Sequence, residues 1–339
     1  MSSPTLADVA KKASVAVSTA SIVLSESGQF HEISEPTRKR IQAAAHELKY
    51  QVYAGGRQLK RGRSGMIALL LSAEKDRSSL NLDLLYALCA ELQQRDLGLS
   101  FVRMDDESLM GRVPRFLRQR EVDGVLVNYN VNISRHLIDL IHHYEIPTVF
   151  MNTRKVRGAV YFDHYRAAIQ AVERLAALGH RRIMFLNFGT QFEHYSVSDT
   201  VKGYLAAMKR LGLKPLLRET VIQRPDRLRA ALKLLSEKRR PTAIFTMWES
   251  SAIPVVQAAE TLGIRIPKDL SICTVGTAET LRGISPQPAY IFLPWEDSAK
   301  AAVEILLNKI EKKSDKSLTG RVQCGWRNDE ETIGPVENG

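Results

Sequence analysis

From Met66 to Val275 short apolar runs alternate with stretches of helical period, and few folds accommodate such an alternation. The runs are Met66–Leu71, Leu99–Met104, Val122–Val127, Thr148–Met151, Ile183–Phe188, Ala243–Met247 and Ser271–Val275. Helical periods between them include Leu82–Asp96, Ile133–His143, Arg166–Leu178 and Val201–Leu211. Strands separated by helices pair in parallel, so the sequence predicts an α/β body.

A different pattern precedes this body. Thr5-Leu-Ala-Asp8 has the character of a capping box: the Thr5 hydroxyl can accept the third amide, with Asp8 at the positive end of the helix. Leu6, Val9 and Ala10 then share one face, and Lys11 and Lys12 fall where a helix ends. Ser14-Val-Ala16 breaks the period, and a second apolar face follows in Ala20, Val23 and Leu24. A third helix is expected from Ser34, with Glu35 and Pro36 in its first turn, to about Leu48. Its inward face is Ile41, Ala44, Ala45 and Leu48. Three short helices with small residues at their crossings suit a helix-turn-helix unit, although a purely structural bundle has the same pattern. In a helix-turn-helix, Val17, Ser18, Ser21 and Ile22 face the major groove or its walls, where hydroxyls and helix-start amides reach phosphates.

Charge supports the nucleic-acid reading. The chain of 339 residues has a formal net charge of +11, and residues 1–64 hold ten basic side chains against five acidic ones. The other 275 residues share the remaining +6, a lower density. A basic leading unit on a milder body points to a polyanion at that end. Apolar stretches such as Met66–Leu71 are far too short to cross a bilayer, and Met1–Ala10 lacks a basic-then-apolar leader, so no membrane and a cytoplasmic location are expected. Cys89, Cys273 and Cys324 are scattered and form no CxxC pair, which predicts reduced, mostly buried thiols and no thiolate metal site. GxSxG, GxGxxG, P-loop and HExxH motifs are all missing, and His136, His142 and His143 on one helical stretch read as surface histidines. No catalytic residue, cofactor or metal is expected.

Thr5-Leu-x-Asp-Val-Ala-x-x-Ala-x-Val-x-Val-Ser-Thr-x-Ser21 resembles the head of the LacI/GalR family of bacterial transcriptional regulators almost position for position. The resemblance continues through Thr37-Arg-Lys-Arg, Glu47-Leu48, Tyr50, Arg57 and Leu59. It recurs in Val122-Asp-Gly-Val, Ile146-Pro-Thr-Val-Phe, Leu178-Gly-His-Arg-Arg-Ile, Gly203-Tyr, Pro241-Thr-Ala-Ile-Phe and Leu262-Gly-Ile-Arg-Ile-Pro. It implies an all-α helix-turn-helix head plus an α/β periplasmic-binding-protein-like (type I) body of two Rossmann-like subdomains. Residues 1–51 would be the DNA-binding domain, 52–64 a hinge with a hinge helix at about 54–60, and 65–335 the effector-binding and dimerisation domain. The function implied is that of a homodimeric regulator, more often a repressor, on a pseudo-palindromic DNA operator. DNA contacts would come from Thr5, Ala16, Val17, Ser18, Thr19, Ser21, Ile22, Ser34 and Arg38, with Arg57, Leu59 and Lys60 from the hinge. Leu59 aligns with the apolar wedge that kinks the central base step, though a leucine resting on the domain below would look the same.

The sequence also departs from the family. Ala16 replaces the usual serine cap of the second helix, which is worth about 1 kcal/mol, and Ile22 replaces a common arginine. The loop Ser25–Ile33, which includes Phe30, is longer than usual, and Gly55-Gly56 weakens the hinge helix. In the body most of the family's effector-binding residues are replaced. Asp163 alone keeps its place, beside His164, while Thr200, Trp248-Glu249 and Thr277 stand at other ligand positions. A small-molecule effector of unknown identity is therefore expected among Asn152, Arg154, Asp163, His164, Thr200, Trp248, Glu249 and Thr277, but not a standard sugar. Trp248 could equally fill a cleft that binds nothing, and the body could be a receptor whose DNA contact is incidental. The tail beyond Ile310 has no leucine heptad, so a tetramerising helix is not expected.

Overall fold

The computed structural model describes residues 4–24, 30–50, 63–74, 77–78, 80–105, 121–189, 194–312, 320–327 and 332–335. The chain forms two compact units, Met1–Gly65 with Gln119–Asp123, and Met66–Arg118 with Gly124–Gly339. The expected hinge helix at about 54–60 lies outside the described residues.

The first unit holds helices α1 (Leu6–Lys12), α2 (Val17–Leu24) and α3 (Glu35–Glu47). Thr5 closes the capping box: its hydroxyl accepts from the Asp8 amide at 3.3 Å, and the Asp8 carboxylate accepts from the Thr5 amide at 2.8 Å. Val9, Ala10, Ala13, Ala20, Val23, Ile41, Ala44 and Ala45 form the core, and its alanines let three short helices approach closely. Arg40 Nε donates to the Ala13 carbonyl at 2.9 Å, so α3 holds the end of α1 where the turn to α2 begins. Lys12 pairs with Glu47 across the same two helices. Phe30, in a single 3-10 turn, packs at the edge of this core, with the Arg38 guanidinium 4.6 Å above its ring.

The second unit is built from two lobes. In the first, β1 (Met66–Ser72), β2 (Gly98–Met104), β3 (Gly124–Val127) and β4 (Thr148–Phe150) form a parallel sheet in the order β2-β1-β3-β4. Helices α4 (Leu82–Gln93) and α5 (Arg135–His143) connect them. After the short strand β5 (Tyr161–Phe162), the chain builds the second lobe from α6 (His164–Ala177), β6 (Ile183–Asn187), α7 (Tyr195–Arg210), β7 (Leu216–Glu219) and α8 (Arg224–Leu235). It continues through β8 (Ala243–Thr246), α9 (Glu249–Thr261), β9 (Ser271–Val275), α10 (Ala278–Leu281) and β10 (Ala289–Phe292). Helix α11 (Trp295–Ile310) returns to the first lobe: its Ala299, Ala302, Val303 and Leu306 complete the core around Ile67, Leu69, Leu84, Leu88 and Leu126. Strand β11 (Arg321–Val322) pairs with β5, and β12 (Gly325–Arg327) adds the one antiparallel strand of the order β12-β10-β9-β8-β6-β7.

The seven apolar runs read from sequence are all strands, with no end shifted by more than two residues. Helix α7 is a correction: it starts at Tyr195, six residues ahead of the expected Val201. Its first turns are polar, and His194 caps them by accepting the Ser196 amide. Gly203 is required where α7 crosses α6, because a Cβ there would lie 2.2 Å from the Tyr165 carbonyl oxygen. Cysteine burial is a second correction, since Cys273 is buried but Cys324 only partly so and Cys89 exposed.

Candidate nucleic-acid interface and ligand cleft

In the helical unit, the core fixes which face of α2 is free. Ala20 and Val23 point inward, leaving Ala16, Val17 and Ser18 exposed, with Val17 48% accessible; Thr19, Ser21 and Ile22 are half-buried at the margins. Ala16 offers no side-chain acceptor to the amides that open α2, and the first turn carries no acidic residue. Those amides and the positive helix end are therefore available to an anion. Thr5 is exposed but engaged, its hydroxyl donating to Asp8 at 2.7 Å, and these hydrogen bonds hold the Asp8 carboxyl below its usual range. Ser34 is exposed at the start of α3, 3.0 Å from the Thr37 hydroxyl. Arg38 lies over Phe30, a contact the sequence reading missed because the 3-10 turn carries no helical period. Arg57, Leu59 and Lys60 lie outside the described residues.

In the body, the expected effector residues gather where the strand ends of both lobes meet. Asn152, just beyond β4, adopts φ +54°. Its amide donates to Asn130 Oδ1 at 3.1 Å, and its Oδ1 accepts from the Tyr195 hydroxyl at 3.2 Å. The Phe162 amide donates to that hydroxyl at 2.9 Å, and His194 Nε2 donates to the Asn152 carbonyl at 3.0 Å. Arg154 reaches Asp199 of α7 at 2.5 Å and covers the Tyr161 ring at 5.2 Å. The Asp199 hydrogen bond raises the Arg154 pKa further. Polar groups of the two lobes thus satisfy one another directly. Sequence reading did not find His194, Tyr195 or Asp199, since they occupy the polar first turns of α7.

Beneath this network lies His164, 1% accessible, and neither of its ring nitrogens has a hydrogen-bond partner. It packs edge-on against Tyr195 and Trp248, with ring centres at 5.7 and 6.1 Å, and against Phe162 at 6.4 Å. Burial in this aromatic box, and secondarily the nearby His194, push its pKa down to about 3. The Thr200 hydroxyl is buried and similarly unpartnered. Each such group is costly to leave unmatched, by about 1–3 kcal/mol.

Trp248 sits at the tip of β8 with φ 65° and ψ 156°. That region is almost reserved for glycine and costs about 1–3 kcal/mol, a strain that concentrates at ligand and switch sites. Glu249 follows, its carboxylate accepting the Thr277 amide at 2.6 Å and lying over Gly276, where a Cβ would come within 2.9 Å of it. Burial raises the Glu249 pKa. A cavity of about 490 Å³ opens beside Thr277 and Gly276, bounded also by Asp83, Tyr290, Phe292 and Trp295. Asp163 stands apart in role: it caps α6 through the Arg166 amide at 3.1 Å and is paired with Arg321. Among the described residues no group of His, Cys, Asp and Glu side chains could hold a metal ion, and no helix is long and apolar enough to cross a membrane.

Known proteins share both units. The sequence profile described as "Bacterial regulatory proteins, lacI family" matches residues 5–52, and that of a periplasmic binding protein-like domain matches 172–324. The HTH-type transcriptional repressor PurR of Proteus mirabilis is 27% identical over 335 residues, covering 93% of each chain. The repressor of the same name from Erwinia tasmaniensis is 27% identical over 326 residues, again covering 93% of each. Among solved structures, the Lac repressor dimer bound to operator and the anti-inducer ONPF is similar with a TM-score of 0.76 and 21% identity, over 98% of this chain and 100% of that one. The CelR–cellobiose complex gives a TM-score of 0.63 at 21% identity, over 96% and 98%. With the head, the two-lobed body and these likenesses in agreement, the chain carries a lacI-family regulatory head and a periplasmic binding protein-like body, and over almost its whole length it is similar to DNA-binding transcriptional repressors of the LacI/GalR family.

Proposed function

We propose that the protein is a cytoplasmic, homodimeric repressor that binds a pseudo-palindromic operator. Residues 1–51 would read the DNA, 52–64 form the hinge, and 65–335 supply dimerisation and an effector cleft. The observation that carries this reading is the exposed face of α2, Ala16-Val17-Ser18, held outward by a fully built three-helix core. Paired heads would place that face in successive major grooves. Thr5, Ser34 and Arg38 would border the same DNA, with Arg57, Leu59 and Lys60 entering from the hinge. Selection of bound fragments from genomic DNA by the full-length protein tests it: a palindrome with steeply salt-dependent affinity is expected, and no enrichment of any sequence overturns it.

The chemistry of α2 sharpens the expected site. An arginine–guanine pair contributes about 1–3 kcal/mol of discrimination, and Ile22 and Val17 cannot make one. They can meet thymine methyl groups. The selected operator is expected to carry A·T pairs beneath α2, and invariant G·C pairs there would contradict this assignment.

For the cleft, the strained Trp248, the unpartnered His164 and Thr200, and the cavity beside Thr277 support a small-molecule effector. The direct cross-lobe contacts favour a second reading, in which the lobes close on themselves and DNA binding needs no effector. Arg154→Ala combined with Tyr195→Phe separates the two. If the contacts hold the body closed, the variant is expected to show a larger radius in solution scattering and an operator affinity changed at least several-fold. An unchanged radius and affinity would remove any regulatory role for these contacts.

A further inference from the structure

Strands β6, β7, β8 and β9 run parallel, so the connections that lead into them all lie at one end of the second lobe's sheet, opposite the cleft. These connections, residues 178–182, 209–215, 236–241 and 262–270, hold ten basic side chains against two acidic ones, Glu237 and Asp269, a net of +8. The rest of the body, from residue 65 onward, is net −2. The low mean charge of the body therefore conceals a strongly positive end.

The connections form a continuous surface. Arg182 Nε donates to the Arg240 carbonyl at 3.2 Å, joining the first to the third. Arg218 of β7 lies 3.4 Å from Glu237, and Arg240 is close enough to lower the Asp269 pKa, although Arg265 dominates that shift. Lys209, Lys214, Lys238, Arg239 and Lys268 are exposed and have no carboxylate within ion-pair distance among the described residues.

Helix ends explain only part of this charge. Helices α6 to α9 terminate here, each presenting about half a negative charge, and Glu173 of α6 pairs with Arg210, so roughly three of the eight excess positive charges are matched. The four connections contain no Phe, Tyr or Trp. Base stacking on a single strand needs such rings, and protein–protein hot spots seat Trp, Tyr or Arg in desolvated pockets, whereas the cations here stand out in solvent. A rigid array of repeating anions needs neither. Four adjacent strands set the connections across about 15 Å, comparable with the roughly 12 Å width of the major groove. Cations ahead of the outer strands β7 and β9 can thus meet the two phosphate backbones that flank one groove.

We propose that this end of the second lobe is a second duplex-DNA-binding surface, distinct from the head, which contacts phosphates without reading bases. The test uses full-length protein and a random-sequence duplex of about 20 base pairs, with affinity followed against salt. Val17→Glu with Ser18→Glu places negative charge on the α2 face and silences the head. That variant is expected still to bind the duplex. Adding Lys209→Gln, Lys214→Gln, Lys238→Gln and Arg239→Gln is expected to weaken binding at least tenfold and to flatten the slope of log affinity against log salt by about 3–4. Lys238→Arg with Arg239→Lys, which keeps the charge, is expected to bind normally, and circular dichroism checks that every variant is folded. No duplex binding by the head-silenced protein, or binding indifferent to the four glutamines, overturns the proposal. Binding to phosphatidylserine vesicles but not to the duplex also overturns it, in favour of a membrane surface. Because the duplex is random, failure to select an operator would not affect this result.

Discussion

Ile41→Ala is expected to abolish operator binding while leaving the α/β body folded. Ile41 is fully buried at the centre of the helical unit, against Val9, Ala20 and Val23. Truncating a buried isoleucine to alanine costs about 2–5 kcal/mol. A unit of this size rarely has more than about 3–5 kcal/mol to lose, so the substitution takes most or all of its stability. The neighbouring alanines have no side-chain length with which to refill the space. Calorimetry should show the body's transition unchanged and the head's contribution lost, and the operator complex should disappear from an electrophoretic shift assay. Retention of affinity within about threefold of wild type, roughly 0.6 kcal/mol, would show that something beyond this core holds the head together.

Acid should destabilise the body through His164. Its pKa is about 3 in the folded protein, against 6.5 for an ordinary histidine. The unfolded chain therefore binds the extra proton throughout the interval between those values. Stability is complete above about pH 6.5 and falls as pH drops towards 3, by a total on the order of 4–5 kcal/mol, with roughly 2 kcal/mol already lost at pH 5. His194 and His180 are also depressed by burial and act in the same direction. Urea denaturation at pH 7.5 and pH 5 measures the loss. His164→Leu removes two unpartnered nitrogens from an aromatic pocket, so it is expected to be at least as stable as wild type at pH 7.5 and to lose much less on acidification. An unchanged pH dependence in this variant would mean that the buried imidazole is already matched or hydrated.

The helical unit was legible because its determinants are local. The Thr5–Asp8 cap, the apolar faces and the Ser34-Glu35-Pro36 start each span a turn or two, and the structure places them as the sequence indicates. Strands of the body were legible for a related reason, since strands buried on both faces read as uninterrupted apolar runs. Helix α7 was cut short because its first turns carry cleft-facing polar residues instead of a core stripe. The cleft was only half legible. Asn152, Arg154, His164 and Trp248 could be named, but their partners lie far away in sequence: Asp199 is 45 residues from Arg154, and Arg321 is 158 from Asp163. No local pattern records such pairings. The basic end of the second lobe escaped notice in the same way, because only parallel topology brings its four connections together.

The return of α11 to the first lobe has a consequence for synthesis on the ribosome. Strands β1 to β4 emerge early, yet Ala299, Ala302, Val303 and Leu306, which cover one face of their sheet, are made only after the second lobe's sheet is nearly complete. The first lobe thus waits with that apolar face covered by α4 alone while its neighbour is translated. Such intermediates are prone to aggregate. A chain truncated ahead of Trp295 should consequently accumulate as a chaperone client, whereas a circular permutant that opens with α11 should be relieved of that wait.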